Sequence, residues 1–236
     1  NHQLMLKKIV LASALAMTCL PFVAKAQADF QLYYDFGSDR QYVSTTFELF
    51  KADQYGDTFI FVDHYFSNKD NREAGLYSAI NGSYFEIERA INFWQDTKLG
   101  ALSAHIEYDG SSWGASILCL GAKYAFHNAD FSNTFSLALM YDQHIGVGSA
   151  KVPVKFSGVW GMQDLFGLKG VRFSGFLDIW GNDSPYGKFS ILTEPQLWYC
   201  LDGEHLNIGT ELELSYNFAG RDGFMFNPCL GLKWVF

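Results

Sequence analysis

The residues best able to take part in chemistry are acidic side chains and a histidine, which stand at every second position of otherwise apolar segments. Glu86 and Glu88 show this spacing, and His105, Glu107 and Asp109 repeat it. Because positions i and i+2 of a β-strand project from the same face, each set would line one surface. Carboxylates can hydrogen-bond sugar hydroxyls while neighbouring aromatic rings stack on a flat ring. These residue types therefore suit the binding of a nucleoside or a saccharide.

Extending the same parity along the chain gives a larger set of candidate solute-binding residues on one face of several strands. The alternative interpretation is a salt-bridged, hydrated interior in which Lys123, Lys155, Lys188 and Lys233 neutralise the acids, because isolated buried charges are costly. The aromatic members could instead fill the interior. The candidates are Glu86, Glu88, His105, Glu107, Asp109, Arg172, Asp178, Trp180, Trp198, Glu211 and Glu213.

These side chains need strands to position them, and the sequence beyond residue 29 predicts twelve. Alternating polarity separated by turn-forming residues is typical of strands rather than helices. An even number of strands returns both chain ends to the same side of a membrane. We therefore expect an all-β fold, a 12-stranded antiparallel transmembrane β-barrel of the outer membrane. The predicted strands span residues 30–36, 41–51, 57–67, 77–94, 99–110, 113–126, 131–143, 153–164, 170–181, 187–200, 204–217 and 223–236.

The alternation is clearest in the last two predicted strands. Leu206, Ile208 and Leu212 share one face, and the chain ends on the alternating residues Trp234 and Phe236. A soluble sandwich would also alternate, but its outer face would carry many charges, whereas here the apolar faces are large and tipped with aromatic residues. We expect Phe236 to be the terminal aromatic residue that the barrel-insertion machinery reads. Pro195 and Pro228 lack a ladder donor and predict local irregularities or strand ends.

The N-terminal residues predict export. Lys7 and Lys8 precede an apolar run that ends in Ala24, Lys25 and Ala26, a small-x-small cleavage signature. Residues 1–26 are thus expected to be upstream residues and a cleaved signal peptide, and residues 27–236 a single barrel domain. The alternative is a core or membrane helix, but the run is too short to span a membrane and ends in a cleavage signature rather than in anchoring residues.

Composition narrows the function further. Aromatic residues make up 17% of the chain, with 22 Gly and 5 Pro, as in barrels with aromatic girdles. Loss of the leader removes three lysines and no acid, so a chain of formal charge −8 becomes more acidic, which argues against nucleic acid as a partner. The remaining cysteines, Cys119, Cys200 and Cys229, are odd in number and cannot all pair within one molecule. No zinc or calcium spacing is present, and we expect no cofactor.

Two groups of motifs resemble known outer-membrane families. Gly82 to Phe93, followed by Glu107, Tyr108 and Asp109, resembles the Tsx-like nucleoside-specific channels, in which an acidic strand occupies a comparable place. Phe30 to Gly37 and Phe47 to Lys51 are more similar to an uncharacterised family of outer-membrane proteins in the same superfamily. This resemblance implies a monomeric 12-stranded barrel in outer-membrane lipid, with a narrow lumen that passes or binds small solutes such as nucleosides.

Two alternatives to a channel stay open. One is a closed barrel with a structural or surface-contact role, whose lumen is plugged by its own side chains. The other is a lipid-modifying enzyme, which would need a histidine and a serine together on the lipid-facing surface. His64 is the one outward histidine candidate, and we expect no outward serine beside it on its own strand or the next. The sequence therefore favours a protein that is not an enzyme.

Overall fold

The computed structural model describes residues 26–68, 79–114, 116–185 and 187–236. Almost all regular secondary structure within these ranges is β-strand, and Leu165–Gly167 forms a short 3₁₀ turn. No helix among these residues is long and apolar enough to cross a membrane. The strands are β1 Gln27–Asp35, β2 Val43–Asp53, β3 Gly56–Phe66, β4 Ile80–Ile91, β5 Leu102–Ser111, β6 Ile117–His127, β7 Asn133–His144, β8 Val154–Gln163, β9 Val171–Ser184, β10 Gly187–Thr193, β11 Gln196–Cys200, β12 Leu206–Tyr216 and β13 Phe224–Val235.

The thirteen strands of the described residues form twelve staves of one closed antiparallel barrel, as predicted. β10 and β11 both pair with β9 on one side and β12 on the other, so they act as a single stave. Thr193 pairs with Leu177 and Gln196 with Ser174, which leaves the register unchanged across the interruption. Pro195 lies in that gap and has no N–H to donate, so it interrupts the ladder without shifting it.

The first and last strands close the barrel. The β1–β13 register runs from Asp29 opposite Val235 to Asp35 opposite Cys229. Beyond it, the N–H of Phe236 donates to the carbonyl of Ala28 at 2.9 Å. Both ends of the barrel domain therefore lie at one opening, which we call the terminal mouth. The opposite opening, beside the β1–β2, β7–β8 and β12–β13 connections, is the loop mouth.

Period-two alternation sorts the side chains between lipid-facing and lumen-facing surfaces. Along β1, Phe30, Leu32 and Tyr34 are 41–43% exposed, whereas Gln31 and Tyr33 are buried. The outward surface is a continuous apolar band whose aromatic residues gather near its two edges. Tyr124 and Phe126 pack together near the terminal mouth, with ring centroids 4.7 Å apart, and Phe189 stacks on Tyr216 near the loop mouth at 5.6 Å. The predicted barrel faces are thus confirmed.

Two predicted segments are described only in part. The leader up to residue 25 and the long connection over residues 69–78 lie outside the described residues. The connection between β7 and β8 is described and opens onto the loop mouth, where the Ser149 hydroxyl accepts the N–H of His144 at 3.0 Å. Pro228 lies within β13, in unbroken register opposite Leu212, so the predicted irregularity or strand end at this residue is wrong. Its carbonyl accepts the N–H of Phe36 just past the end of β1.

Candidate functional site

The strands direct a strongly acidic set of side chains towards the lumen. The charged residues that sequence parity assigned to the interior lie at inward positions except Lys188, which is exposed at a register shift between Gly187 and Phe189. The structure adds Asp29, Asp35, Asp57 and Arg40 to the set. Inward acids outnumber inward bases by more than two to one among the described residues. The acids are Asp29, Asp35, Glu48, Asp57, Asp63, Glu86, Glu88, Glu107, Asp109, Asp142, Asp178, Glu194, Glu211 and Glu213, and the bases are Arg40, Lys123, Lys155, Arg172 and Lys233.

One group of these charges gathers around a single lysine on β8. The Nζ atom of Lys155 lies 2.5 Å from Oε1 of Glu107 and 2.9 Å from Oδ2 of Asp178. His105 points at the same place, with its Nε2 atom 3.5 Å from Oε2 of Glu88. We call Glu88, His105, Glu107, Lys155 and Asp178 the lumen ion cluster. Because β5 and β8 are separated by two strands, the Lys155–Glu107 pair spans part of the lumen.

The lumen ion cluster has too few partners for its polar atoms. Nδ1 of His105, Oδ1 of Asp109 and Oδ1 of Asp178 are buried and have no hydrogen-bond partner among the described residues. Oδ1 of Asp142, on the neighbouring β7, lies 3.2 Å from Nε2 of His144 and does not belong with these atoms. Buried polar groups are ordinarily hydrogen-bonded, so this concentration of unpartnered atoms marks the wall formed by β4 to β9 as a candidate site.

A second ion pair crosses the lumen nearer the terminal mouth. The Nζ atom of Lys123 on β6 donates to Oδ1 of Asp57 on β3 at 3.2 Å. Like Lys155 and Glu107, these residues come from strands separated by two others. Side chains thus bridge the interior at two levels and narrow any passage through it.

On the opposite wall, β1 and β11 to β13 carry a second group, which we call the seam cluster: Gln31, Tyr33, Gln196, Trp198, Glu211 and Lys233. Trp198 donates from Nε1 to Oε1 of Gln196 at 2.8 Å, and Gln196 donates from Nε2 to Oε2 of Glu211 at 2.7 Å. The hydroxyl of Tyr33 donates to Gln31, whose Nε2 donates to Oδ1 of Asp29 at 2.8 Å. Each donor in these hydrogen bonds therefore has an acceptor on a neighbouring side chain.

Two glycines let Trp198 lie flat against the seam wall. A Cβ atom built on Gly209 would approach the indole of Trp198 to 2.5 Å, and one on Gly231 would meet the Tyr33 ring at 2.6 Å. The Nζ atom of Lys233 lies 4.5 Å from the Trp198 ring centroid, within the range of a cation–π contact. Trp198 is consequently 1% exposed and offers no face to a solute in this structure.

The remaining predicted site residues divide between these two walls and the loop mouth. Glu86 accepts the hydroxyl of Tyr84 beside the lumen ion cluster. Trp180 meets Phe218 edge-on, with ring centroids 5.8 Å apart. Arg172 is opposite Trp198 in the β9–β11 register, on the side of the terminal mouth. The predicted set is therefore distributed along the lumen rather than gathered in one pocket.

Glu213 belongs to a group at the loop mouth that the sequence reasoning missed in part. Arg40, in the β1–β2 turn, bonds Oε1 of Glu213 at 2.7 Å and Oδ2 of Asp35 at 3.1 Å. Asn227 donates to the same Glu213 oxygen at 2.9 Å. A cavity of about 340 Å³ adjoins this group, between the β1–β2 and β12–β13 turns. Strand parity could not find Arg40, because the turn and not a strand directs it inward.

The structure corrects one part of the enzyme argument. His64 is directly opposite Ser83 of β4, so the expectation that no outward serine lies beside it on the next strand is wrong. The two side chains share no hydrogen bond within the described residues, where Nδ1 of His64 is buried and unpartnered. The adjacent outward positions are Thr45, Val62 and Phe85, which supply neither an acid nor an amide.

Other polar and cysteine residues have structural surroundings. Arg89 faces outward near the terminal mouth, where it contacts both carboxylate oxygens of Asp53 at 2.8 and 2.9 Å. Cys119, Cys200 and Cys229 are unpaired. Cys119 and Cys229 are buried on the inward face, as expected of small apolar side chains.

The sequence comparison decides the family. Residues 26–236, which include every described residue, match the family described as a domain of unknown function, DUF5020. The chain belongs to the DUF5020 family. No curated protein sequence matches this DUF5020 chain significantly. The expected affiliation with an uncharacterised family is thereby supported, and the resemblance to the Tsx-like nucleoside channels stays a prediction.

Solved porins share the fold of the DUF5020 barrel. The NanC porin superimposes with a TM-score of 0.57 at 14% identity, covering 88% of this chain and 98% of that porin. The KdgM porin gives a TM-score of 0.51 at 10% identity, covering 89% and 99%. A KdgM structure in complex with disordered oligogalacturonate gives 0.52, again at 10% identity, covering 89% and 99%. At such low identity these similarities establish the porin-type barrel fold alone.

Proposed function

We propose that this DUF5020 protein is an outer-membrane channel for small solutes, with a lumen that favours cations over anions. The main support is the acidic inward set, in which acids outnumber bases by more than two to one among the described residues. A narrow passage lined by one sign of charge concentrates ions of the opposite sign. The apolar outer band with aromatic edges supports the membrane location.

The same proposal includes how the chain reaches its place and what it contacts there. Residues 1–26 would direct export and be removed, and the insertion machinery would recognise the last strand through Phe236. The barrel would then act as a monomer with its outward face in lipid. No catalytic step is part of this role.

We further propose, from the resemblance to Tsx-like channels, that the preferred solute is nucleoside-like. Glu86 and Asp178 could accept hydrogen bonds from sugar hydroxyls, and Trp180 could stack on a base. The oligogalacturonate of the KdgM complex is a different case, because each of its sugar units carries a carboxylate. An acidic lumen would repel such a chain, so we expect neutral or cationic solutes to pass more easily.

Planar-bilayer recording of the purified, folded protein tests this proposal. In a KCl gradient the reversal potential should show cation selectivity, and an added nucleoside should reduce the current. The double variant Glu86→Gln and Glu211→Gln, with one change on each lumen wall, should weaken that selectivity. Glu204→Gln is the matched control, because Glu204 is 80% exposed in the turn at the terminal mouth. Anion selectivity in the unaltered protein would contradict the proposed cation preference, and indifference to nucleosides would remove the finer proposal.

A second candidate, a closed barrel with a structural role, has its own supporting observation. The Lys155–Glu107 and Lys123–Asp57 pairs bridge the lumen, and Gln31, Glu107 and Trp198 are at most 2% exposed. The same recording separates the two functions. Zero conductance from protein that keeps the heat-modifiable gel mobility of a folded barrel would favour the closed barrel and refute the channel.

A further inference from the structure

Two neighbouring strands place three possible metal ligands on one lumen wall. Glu88 of β4 is directly opposite Glu107 of β5, and His105 precedes Glu107 by two residues, so all three side chains point inward. One donor atom from each residue lies within 4.8 Å of the other two. His105 is 3% exposed and Glu107 is 2% exposed, so bulk water does not fill the space around them.

The distances fit donors that share an ion better than direct hydrogen bonds. Nε2 of His105 is 3.5 Å from Oε2 of Glu88 and 3.8 Å from Oε2 of Glu107. An N–H···O hydrogen bond is ordinarily about 2.9–3.0 Å long. Two atoms that each lie about 2.1 Å from one tetrahedral zinc ion are about 3.4 Å apart. Each carboxylate therefore lies close to the distance from the imidazole that common coordination requires.

The surroundings of the three residues point independently to a bound cation. Nδ1 of the buried His105 has no hydrogen-bond partner among the described residues, and neither has Oδ1 of the adjacent, 4% exposed Asp109. Lys155 occupies only Oε1 of Glu107, which leaves Oε2 on the side of His105. An ion bound to Nε2 cannot also contact Nδ1, because the two ring nitrogens point in different directions, so the support comes from the carboxylates. A cation here would balance the buried charge of Glu88 and Glu107 and would lie beside the unpartnered oxygen of Asp109.

We propose that Glu88, His105 and Glu107 form a binding site for one divalent transition-metal ion, for which Zn²⁺ is the probe. An imidazole with two carboxylates suits Zn²⁺ and its first-row neighbours, whereas Ca²⁺ and Mg²⁺ favour sites made of oxygen alone. Three protein ligands leave a fourth position for water or a small solute. The proposal does not depend on whether the lumen conducts.

A neighbouring set offers an internal comparison. Glu107, Asp109 and Cys119 also bring their donor atoms within 4.8 Å of one another. This second set shares Glu107 with the first, so the two would compete for one ion. It lacks the imidazole, and the distances from Nε2 of His105 to both carboxylates are the feature that favours the first set.

Zinc binding to the full, folded barrel tests the site. Purified protein is stripped with a chelator and dialysed against a buffered Zn²⁺ series, and bound metal is measured by mass spectrometry. We expect close to one Zn²⁺ per chain, with weak competition from Ca²⁺. His105→Gln and Glu88→Gln should each weaken binding more than about tenfold, an effect that even outer-shell partners of metal ligands can reach. Cys119→Ser and Glu213→Gln are the matched controls and should bind normally.

Several outcomes would overturn the site. These are absence of stoichiometric Zn²⁺ from the unaltered protein, unchanged affinity in folded Glu88→Gln, or loss of binding in Cys119→Ser but not in His105→Gln. If His105→Gln does not fold, Co²⁺ absorption of the unaltered protein decides the donor set. Nitrogen and oxygen donors would support the proposal, and a thiolate charge-transfer band would refute it. Since metal content is measured without recording current, failure of the channel leaves this result unaffected.

Discussion

The two lumen walls differ in how completely their polar atoms are paired. In the seam cluster, the indole N–H of Trp198, the amide of Gln196 and the hydroxyl of Tyr33 all donate to neighbours within the cluster. In the lumen ion cluster, Lys155 serves two carboxylates, while His105 and Asp178 each keep a buried atom without a partner in the described residues. Full pairing is expected where strands must be held together, and incomplete pairing where a ligand is to be received.

Position in the barrel explains the difference. The seam cluster lies where the first and last strands meet, so it secures the closure that no covalent connection provides. The lumen ion cluster lies on β4 to β9, whose strands follow one another along the chain and pair with their sequence neighbours. That wall needs no additional side-chain network to define its register. It can therefore carry groups that cost stability.

Removal of Lys155 should have the largest effect on this comparison. Lys155→Met leaves Glu107 and Asp178 buried without their cation, and loss of one partner from a buried ion pair typically costs about 3–5 kcal/mol. We expect a loss near the upper end of that range in the free energy of unfolding, measured by denaturant titration in lipid vesicles. The triple variant that adds Glu107→Gln and Asp178→Asn should recover most of it, because those carboxylates are then neutral. Equal stability of the single and triple variants would show that the ion pairs do not hold this wall together.

The seam cluster should respond through packing rather than charge. Trp198→Ala removes a ring that is 1% exposed and covered by Tyr33 and Lys233, and truncation of a buried tryptophan costs about 3–5 kcal/mol. We expect a loss in the lower part of that range in the same unfolding measurement. Trp180→Ala is the matched control, because Trp180 is also inward but only partly buried, and it should cost less. If both variants cost the same, the seam is no more tightly packed than the opposite wall.

Most of the fold could be predicted from the period-two alternation of polar and apolar residues in the sequence. It predicted the strands within a few residues and the inward direction of residues such as Glu107 and Glu211, because strand parity is a local property. Which inward charges meet depends on the curvature and stagger of the closed barrel, so the contact between Lys155 and Glu107 could not be predicted. Contacts between neighbouring strands depend instead on the register that each turn sets. The His64–Ser83 pairing and the approach of Glu88 to His105 follow from connections whose lengths the alternation does not fix.

The complete hydrogen bonding of the seam cluster extends to the turn that connects β11 to β12. A substitution in this turn should have the smallest effect on stability. Oδ1 of Asp202 accepts the N–H groups of Glu204, His205 and Leu206 at 2.8–2.9 Å. The N–H of Glu204 contributes most, and together these donors lower the pKa of Asp202 from 3.8 to about 2. Because the carboxylate is favoured in the folded state, its contribution to stability is complete above the unfolded pKa and is lost as the pH falls through about 2.

Asp202→Ala should therefore lower the unfolding midpoint modestly at neutral pH, since Asp202 is exposed and three N–H groups lose only their anionic acceptor. The difference from the unaltered protein should stay constant down to about pH 4 and shrink between about pH 4 and pH 2. Asp202→Asn is the control, because its amide oxygen can still accept the same N–H groups. It should lose less at neutral pH, and its difference from the unaltered protein should fall nearly to zero near pH 2, where Asp202 is itself neutral, whereas Asp202→Ala should keep a residual loss. A difference that grew on acidification would mean that the charge of Asp202 opposes the folded turn, and that full pairing ends with the seam cluster itself.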